Sequence, residues 1–231
     1  MNCFITGTDT EIGKTTVTTA LLVGLHQRGY PAVGMKPVAA GAVMENGVAI
    51  NPDVDQLRRL APSYISSKVI NPYFFEAPTA PWIAAEREAR TIEWSVIATA
   101  FADLTQLSPC VIVEGIGGWD VPLSAVLSAR DIPRRLALPV ILVSGIRLGA
   151  INHTLLTARA IENDGCQLLG WVANVVDPHY PFLTETIITL RAALPAPCLA
   201  EIPWLAAPTP EAVASWLTTA LNVIDDRTPA P

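Results

Sequence analysis

The sequence has few of the features that mark a disulfide-stapled, zinc-binding or nucleic-acid-binding protein. Its four cysteines are scattered without a C-x-x-C pair, and its three histidines have no companion at metal-ligand spacing. Cys3, Cys110 and Cys198 each begin an apolar run, so we expect small buried hydrophobic residues there. Only 16% of the residues are charged and the net charge is −6, which argues against broad nucleic-acid binding.

Long apolar segments are also missing. The longest run, residues 136–146, falls short of a membrane span and contains Pro139 and Gly145. The start of the chain has no basic segment, and Phe4 with Ile5 is too short a core for a signal peptide. We therefore expect a cytoplasmic protein without a membrane partner.

The sequence does contain enough apolar material for a large core, since 51% of its 231 residues are hydrophobic. We expect residues 1–225 to form a single α/β domain. Residues 226–231 are polar and proline-rich, which predicts a flexible tail.

The stretch that organises the chain is residues 2–16. An apolar run at residues 3–5 predicts a buried strand, a polar loop follows, and Gly13-Lys14-Thr15 begins a helix. This is the layout of a P-loop, in which backbone N–H groups surround a phosphate. Lys14 would reach the β- and γ-phosphates of a nucleotide, and the Thr15 hydroxyl would bind Mg²⁺. The loop is one residue longer than the usual form, so an ordinary glycine-containing turn is the alternative.

Two charged side chains follow other predicted strands. Lys36 follows a predicted strand at residues 31–35. Glu114 ends a predicted strand that begins at residue 109, in the manner of a Walker B carboxylate. Because the carboxyl ends of parallel strands line the ligand crevice, we expect both near Lys14. The alternatives are a solvated lysine and a turn carboxylate.

Asp53 has a simple explanation, since the dipole of a helix at residues 51–60 favours acids in its first turn.

Two further positions indicate ligand contacts. A predicted helix start at residues 149–152 would offer N–H groups to an anion such as a carboxylate. Asn174 ends a predicted strand at residues 168–174, where its amide could read a purine edge.

The remaining pattern predicts helices, strands and connections along the rest of the chain. Helices are expected at residues 16–28, 91–107 and 210–224, strands at 138–143 and 198–202, a loop at 38–47, and an irregular segment at 61–90 with a short helix from about residue 81. The buried face of the helix at 91–107 would carry Ile92, Val96, Ile97, Ala100, Phe101 and Leu104.

In combination, these stretches resemble the dethiobiotin synthetases, the ATP-dependent cyclo-ligases of biotin synthesis. No single motif is decisive, but the ordered combination is specific. The resemblance implies a P-loop NTPase-like three-layer fold, with a mostly parallel central sheet flanked by helices, and a homodimer. The matching motifs are residues 7–15 (GTDTEIGKT), 35–38 (MKPV), Asn51 with Asp53, Asn71 with Pro72, 113–118 (VEGIGG), 139–143, 148–149, 151–153, 170–174 and 201–205.

The resemblance also implies a reaction. One amine of 7,8-diaminononanoate takes up CO₂ to form a carbamate. The γ-phosphate of ATP activates that carbamate as a carbamic-phosphoric anhydride, and the second amine closes the ureido ring of dethiobiotin with release of ADP and phosphate. Carbamate and phosphate are both anionic, so fixed positive charge is needed, which Lys14, Lys36 and Mg²⁺ would supply.

Individual residues acquire roles from the same resemblance. Lys36, Lys14 and Thr10 would act in catalysis, and Thr15, Asp53 and Glu114 would bind Mg²⁺. Substrate would contact Ala40 and, across the dimer, Gly149, Ala150, Ile151 and Asn152. The nucleotide-binding positions would be Glu11, Ile12, Gly13, Lys14, Thr15, Thr16, Asp53, Glu114, Gly115, Ile116, Gly117, Asn174, Pro203, Trp204, Leu205 and Glu211.

Three positions depart from the common pattern of the family, and they leave a low-activity paralogue open as an alternative. Ala40 stands where a serine is frequent, Trp82 where a histidine is frequent, and Val175 where an aspartate is frequent.

Other functions of the same P-loop class compete with this interpretation. Partitioning and septum-positioning ATPases carry an additional loop lysine where this chain has Asp9. A corrin-amidating enzyme would need a downstream glutaminase domain, which we do not expect here. A purely structural relative would have no need of Lys14, Thr15, Lys36 and Glu114.

Overall fold

The computed structural model describes residues 1–225, and the predicted tail at 226–231 lies outside the described residues. The strands are β1 (Cys3–Gly7), β2 (Val33–Met35), β3 (Val38–Ala40), β4 (Val43–Glu45), β5 (Val48–Ile50), β6 (Tyr73–Phe75), β7 (Val111–Glu114), β8 (Val140–Ile146), β9 (Leu168–Val175) and β10 (Cys198–Ile202). The helices are α1 (Lys14–Gln27), α2 (Pro52–Leu60), α3 (Ser67–Ile70), α4 (Pro81–Arg87), α5 (Trp94–Leu107), α6 (Asp131–Leu136), α7 (Ala150–Asn163), α8 (Leu183–Ala193), α9 (Pro210–Ala214) and α10 (Thr218–Ile224).

Six strands form the central sheet in the order β10-β9-β8-β1-β7-β2, and every pairing in it is parallel. This confirms the predicted parallel sheet. Ile5 pairs in register with Glu114, and Met35 pairs with Val113. The carboxyl ends of β1, β7 and β2 therefore lie side by side, and the loops that follow them meet at one edge of the sheet.

Helices cover both faces of the sheet, which is why β1, β7 and β8 are buried along their whole length. On one face α1 packs against α2, α9 and α10, and α7 packs against α8 over β8 and β9. α7 connects β8 to β9 and α8 connects β9 to β10, and the right-handed crossover rule places both on the face opposite α1, because these connections run across the sheet in the opposite direction to the one from β1 to β2. Within residues 1–225, no helix combines the length and apolar character that a membrane crossing requires.

Two small sheets stand outside the central one, and they correct the expected loop at residues 38–47. β3 pairs in parallel with β6, while β4 and β5 form an antiparallel hairpin whose turn residues Asn46 and Gly47 both have positive φ. The segment expected to be irregular, residues 61–90, contains α3 and β6 before the predicted short helix, α4. The partner of β3 lies more than 30 residues away, so local pattern could not reveal it.

Several predicted boundaries were wrong. β8 continues to Ile146 because its end pairs with β9, where Ser144 lies opposite Ala173. The single helix expected at 210–224 is two helices, since the N–H groups of Trp216 and Leu217 bond three residues back and end the first. α5 begins at Trp94, and Val96 on its expected buried face is 40% exposed.

The cysteines fit their expected role as small hydrophobic residues. Cys3 and Cys110 are buried, Cys198 is half-buried, and none of the three forms a disulfide within residues 1–225.

Candidate active site

The loop between β1 and α1 folds back over the end of its own strand. A Cβ on Gly7 would lie 2.6 Å from the Ile12 side chain, which packs against this position, and Gly13 has a φ of 90°, a conformation that favours glycine. The first helical bond of α1 joins the Val17 N–H to the Gly13 carbonyl. The N–H groups of Lys14, Thr15 and Thr16 precede that bond, as in a loop that binds a phosphate.

Four polar side chains from different elements converge beside this loop. The Lys36 ammonium donates hydrogen bonds to Glu114 Oε1 (2.5 Å) and to Asp53 Oδ2 (2.9 Å). The Thr15 hydroxyl donates to the same Glu114 Oε1 at 2.7 Å. Lys36 follows β2 and Glu114 ends β7, so the parallel register of the sheet brings these two together. Asp53 joins them from the first turn of α2, which packs against β2.

Burial and mutual charge set the protonation of this cluster. Burial alone would lower the pKa of Lys36, but the Glu114 and Asp53 carboxylates outweigh it and raise that pKa. Burial alone would raise the pKa of Asp53, but Lys36 and Thr15 hold it below its usual range. Lys14 has no such carboxylate contact. Its burial, and then the charge of Lys36, lower its pKa to about 8.

The cluster has the chemistry of a magnesium site that is completed by substrate. Glu114 is fully buried, and its Oε2 atom has no hydrogen-bond partner among the described residues. No group of three or more His, Cys, Asp or Glu side chains in residues 1–225 could hold an ion. Two carboxylates and a hydroxyl beside a phosphate loop nevertheless fit Mg²⁺, which takes one or two carboxylates together with phosphate oxygens and water.

A cleft of about 560 Å³ opens over this cluster. One side is the phosphate loop and the other is the segment from Lys36 to Gly41, and Ala40 lies in that second wall. The cleft brings together most residues predicted to act in catalysis or to bind phosphate, metal or substrate: Thr10, Glu11, Gly13, Lys14, Thr15, Thr16, Lys36, Ala40, Asp53, Ile116 and Gly117.

The glycines after β7 differ in their positions. Gly117 has a φ of 62°, and a Cβ there would lie 3.7 Å from the Thr10 hydroxyl, so the loop crosses closely over the phosphate loop. Gly115 does not line the cleft. It lies under it, with its N–H bonded to the Ile5 carbonyl and with Phe4 against its Cα.

A second pocket, of about 200 Å³, lies on the other side of the phosphate loop and shares Glu11, Gly13 and Thr16 with the cleft. Its remaining lining includes four of the predicted base-contacting residues together with Val175: Asn174, Pro203, Trp204 and Leu205. Glu211 does not line it and is exposed in the first turn of α9.

Asn174 also supports the phosphate loop. It is buried, and its Nδ2 atom donates to the carbonyl of Ile12 at 2.8 Å. The same amide group lies against Gly13, where a Cβ would approach it to 2.2 Å. Ile12, itself buried, thus contributes through its carbonyl group to the shape of the loop rather than to the lining of the cleft.

The helix start at Gly149, Ala150, Ile151 and Asn152 does not line the cleft of its own chain. Ala150 donates its N–H to the Arg147 carbonyl, which leaves the N–H groups of Ile151 and Asn152 as the donors of the first turn. Arg147 binds Asp9 of the phosphate loop through a half-exposed ion pair of 2.6 Å. Asp9, the loop residue that argued against a septum-type ATPase, therefore forms an ion pair with Arg147 of its own chain.

The sequence alone gave no role to Asn51, Asn71 or Arg147. Asn51 immediately precedes a proline and an aspartate at a helix start, which is a recognisable N-cap signal. Asn71 stands in one of the motifs that carry the family resemblance, but its bond to Lys36, like the bond of Arg147 to Asp9, joins segments distant in sequence, so the motif did not indicate its role.

Comparison with known proteins agrees with this geometry. A family model described as an AAA domain matches residues 1–212. The ATP-dependent dethiobiotin synthetase BioD of Janthinobacterium sp. (strain Marseille) is 45% identical over 220 residues, which cover 94% of this chain and 93% of the relative. The BioD protein of Xanthomonas oryzae pv. oryzae (strain PXO99A) is 47% identical over 201 residues, which cover 87% of this chain and 90% of the relative.

Among solved structures, the septum site-determining protein MinD from Pyrococcus horikoshii, complexed with Mg-ADP, superimposes with a TM-score of 0.55. The match covers 98% of this chain and 97% of that one at 16% sequence identity. At this identity the likeness shows the fold alone.

Proposed function

The chain belongs to the family of ATP-dependent dethiobiotin synthetases, and we propose that it is the ligase that carboxylates 7,8-diaminononanoate and closes the ureido ring of dethiobiotin with ATP. The observation that carries this proposal is the convergence of Lys36, Asp53, Glu114 and Thr15 on one edge of a cleft whose other side is the phosphate loop. ATP binding and ligation would thereby take place in the same cleft.

ATP would lie across the phosphate loop. Its triphosphate would meet the N–H groups of Lys14, Thr15 and Thr16, and its base would enter the pocket lined by Asn174 and Trp204. Because Nδ2 of Asn174 is bonded to Ile12, its Oδ1 atom would accept a hydrogen bond from the base. Glu211, which is exposed and outside this pocket, has no support in the geometry for the predicted contact.

The ligation needs two anions to approach each other. A substrate amine attacks CO₂ and loses a proton, giving a carbamate. A carbamate oxygen then attacks the γ-phosphorus and displaces ADP. Finally the second amine attacks the carbamate carbon and expels phosphate, which keeps that oxygen. Lys36 and Lys14 would offset the charge of the two anions, and the Thr10 hydroxyl at the mouth of the loop would hold the incoming carbamate.

The predicted metal is Mg²⁺, held by Thr15, Asp53 and Glu114. Support comes from the buried Oε2 atom of Glu114, which has no hydrogen-bond partner among residues 1–225, while the Oε1 atom accepts hydrogen bonds from Lys36 and Thr15. When bound, Mg²⁺ would neutralise phosphate charge during the transfer.

A homodimer would complete the substrate site. The cleft of one chain lacks the helix start at residues 149–152, yet that start has two backbone donors suited to a carboxylate. A second copy would bring it to the cleft, where Ala40 would contact the diamine side of the substrate. The cytoplasm, where ATP is plentiful, is the proposed location.

The direct test is product formation by purified protein with diaminononanoate, bicarbonate, Mg²⁺ and ATP. We expect dethiobiotin and phosphate in equal amounts, and loss of both in Lys14→Met. Phosphate release that does not depend on the diamine would instead favour an ATPase switch of the septum type. A slow but stoichiometric reaction would identify the low-activity paralogue.

A further inference from the structure

One wall of the cleft is built from a segment that the central sheet does not hold. Residues 36–41, called here the cleft wall, run from the end of β2 through Pro37 and β3 to Gly41. Lys36, Ala40 and Gly41 all line the cleft. β3 pairs with β6 rather than with a strand of the central sheet, so the wall needs its own attachments.

The first end of the cleft wall is held by Asn71. This buried side chain donates from Nδ2 to the Lys36 carbonyl at 2.6 Å and to the Tyr73 carbonyl at 3.0 Å, so both of its amide hydrogens are used. The Lys36 N–H donates to the Ile70 carbonyl at 2.8 Å. The backbone of Lys36 is thereby fixed on both sides by the segment that leads into β6.

The other end is held by Asn51, whose side chain does two things at once. Its Nδ2 atom donates to the Gly41 carbonyl at 2.8 Å, with the Ala40 carbonyl at 3.4 Å. Its Oδ1 atom accepts the N–H of Val54 at 3.2 Å and so caps α2, the helix that carries Asp53. The substrate wall and the acidic helix therefore share one buried amide.

We propose that Asn71 and Asn51 are positioning residues that hold the cleft wall, Asn71 fixing Lys36 and Asn51 fixing Ala40 and Gly41 against the helix of Asp53. This inference rests on the proposed function, because it assigns the wall to the diamine and to the transferring phosphoryl group. It predicts two different kinetic defects. Loss of the Asn71 bonds displaces Lys36 and lowers kcat, whereas loss of the Asn51 bonds moves Ala40 and raises KM for the diamine.

The test uses variants that remove the donated bonds and keep the rest. Asn71→Asp is isosteric but has no N–H to donate, and Asn71→Leu makes the same change without charge. Asn51→Asp and Asn51→Ser keep a side-chain oxygen that can cap α2 and lose the amide donor. The matched control is Ser108→Ala. Ser108 is buried, and its hydroxyl donates to the Cys110 carbonyl at 3.0 Å. It lies just before β7, at the amino end of that strand, whereas the cleft lies at the carboxyl end.

We expect the two Asn71 variants to lower kcat by about tenfold or more while KM for ATP changes little. We expect the two Asn51 variants to raise KM for the diamine by a similar factor. Ser108→Ala should lower the melting temperature and leave both kinetic constants as in the wild type.

Kinetics indistinguishable from those of Ser108→Ala at matched loss of melting temperature would overturn the proposal. If the Asn71 variants do not fold, the Asn51 pair, which keeps the helix cap, decides alone. Wild-type protein that forms no dethiobiotin would refute the proposed function itself, which is a different result from active wild type with unaffected variants.

Discussion

At the scale of single residues, Lys36 matters most, because its ammonium stands between two carboxylates, one of them fully buried. Removing one partner of such a cluster leaves uncompensated charge inside the protein. The same ammonium would be the group closest to the carbamate and the γ-phosphate during transfer. In the proposed mechanism, stability and turnover would therefore depend on the same side chain.

We expect Lys36→Met to lower kcat by about 100-fold or more while ATP affinity changes little. Without Mg²⁺ the variant should lose about 3–5 kcal/mol of unfolding free energy, because Glu114 and Asp53 then lack their cation. Adding Mg²⁺ should restore part of this loss. The exposed Lys68, changed to Met, is the control and should cost at most about 0.5 kcal/mol. Normal turnover with greatly weakened ATP binding would contradict this role of Lys36.

Lys14 supplies a pH dependence with a defined sign. Burial and the charge of Lys36 lower its pKa to about 8, so the protein without nucleotide loses this cation as the pH rises through about 8. In EDTA, ATP should bind several-fold more weakly at about pH 9 than at about pH 7.5. Titration calorimetry of wild type and Lys14→Met checks this, and an equal pH dependence in both would remove Lys14 as the cause.

The same shift has a linked effect on stability. Between about pH 8 and about pH 10.5 an unfolded chain would keep the proton on Lys14 that the native protein has lost. The unfolded state then binds more protons, so the contribution of Lys14 to the free energy of unfolding rises with pH across that window.

At the scale of elements, the strand, loop and first helix of the phosphate site follow from short-range sequence, because Gly13, Lys14 and Thr15 mark the helix start themselves. The contacts of Lys36 with Glu114 do not follow from short-range sequence, since they depend on the parallel register of β2 and β7. Asp53 shows the difference. An acidic residue in a first helical turn has a sufficient local explanation, and only the tertiary ion pair with Lys36 distinguishes it from Asp55.

The erroneous elements share a physical cause. The break between α9 and α10 keeps apolar residues on the buried side in both helices, so the periodicity of residues 210–224 continues through it. β3 and the end of β8 are defined by partners far along the chain, and Gly145 within β8 serves the close approach of Ile12. Pattern reading detects faces and turns, and it does not detect which segments pair.

Two glycines that flank α1 are expected to respond differently to substitution. Gly13 and Gly29 both have positive φ, but a Cβ on Gly13 would lie 2.2 Å from Asn174, whereas one on Gly29 would meet nothing within 4 Å. Gly29→Ala should cost about 1–2 kcal/mol and leave ATP affinity unchanged. Gly13→Ala should cost more and abolish ATP binding, because Asn174 must release Ile12. Thermal unfolding and ATP titration measure both, and equal ATP affinities would show that Asn174 yields without consequence.

At the scale of the whole molecule, the proposed site needs two chains. Lys14 lies in the cleft of one subunit, and Asn152 would enter from its partner. Mixing Lys14→Met with Asn152→Asp subunits should give heterodimers with one native site each, and random mixing would return about a quarter of wild-type activity. Mixing Lys14→Met with Lys36→Met is the control, because both changes lie in the same cleft and no native site can form. Equal activities in the two mixtures would mean that each subunit works alone.

The most direct measurement follows the oxygen atom that the chemistry transfers. Wild-type protein is given ATP, Mg²⁺, diaminononanoate and ¹⁸O-labelled bicarbonate, and the reaction is stopped before the bicarbonate exchanges its label with water. The released phosphate is then analysed by mass spectrometry. Attack of a carbamate oxygen on the γ-phosphorus predicts dethiobiotin together with phosphate that carries one ¹⁸O atom. Dethiobiotin accompanied by unlabelled phosphate, or labelled phosphate without diamine, would contradict a carbamate activated in this cleft.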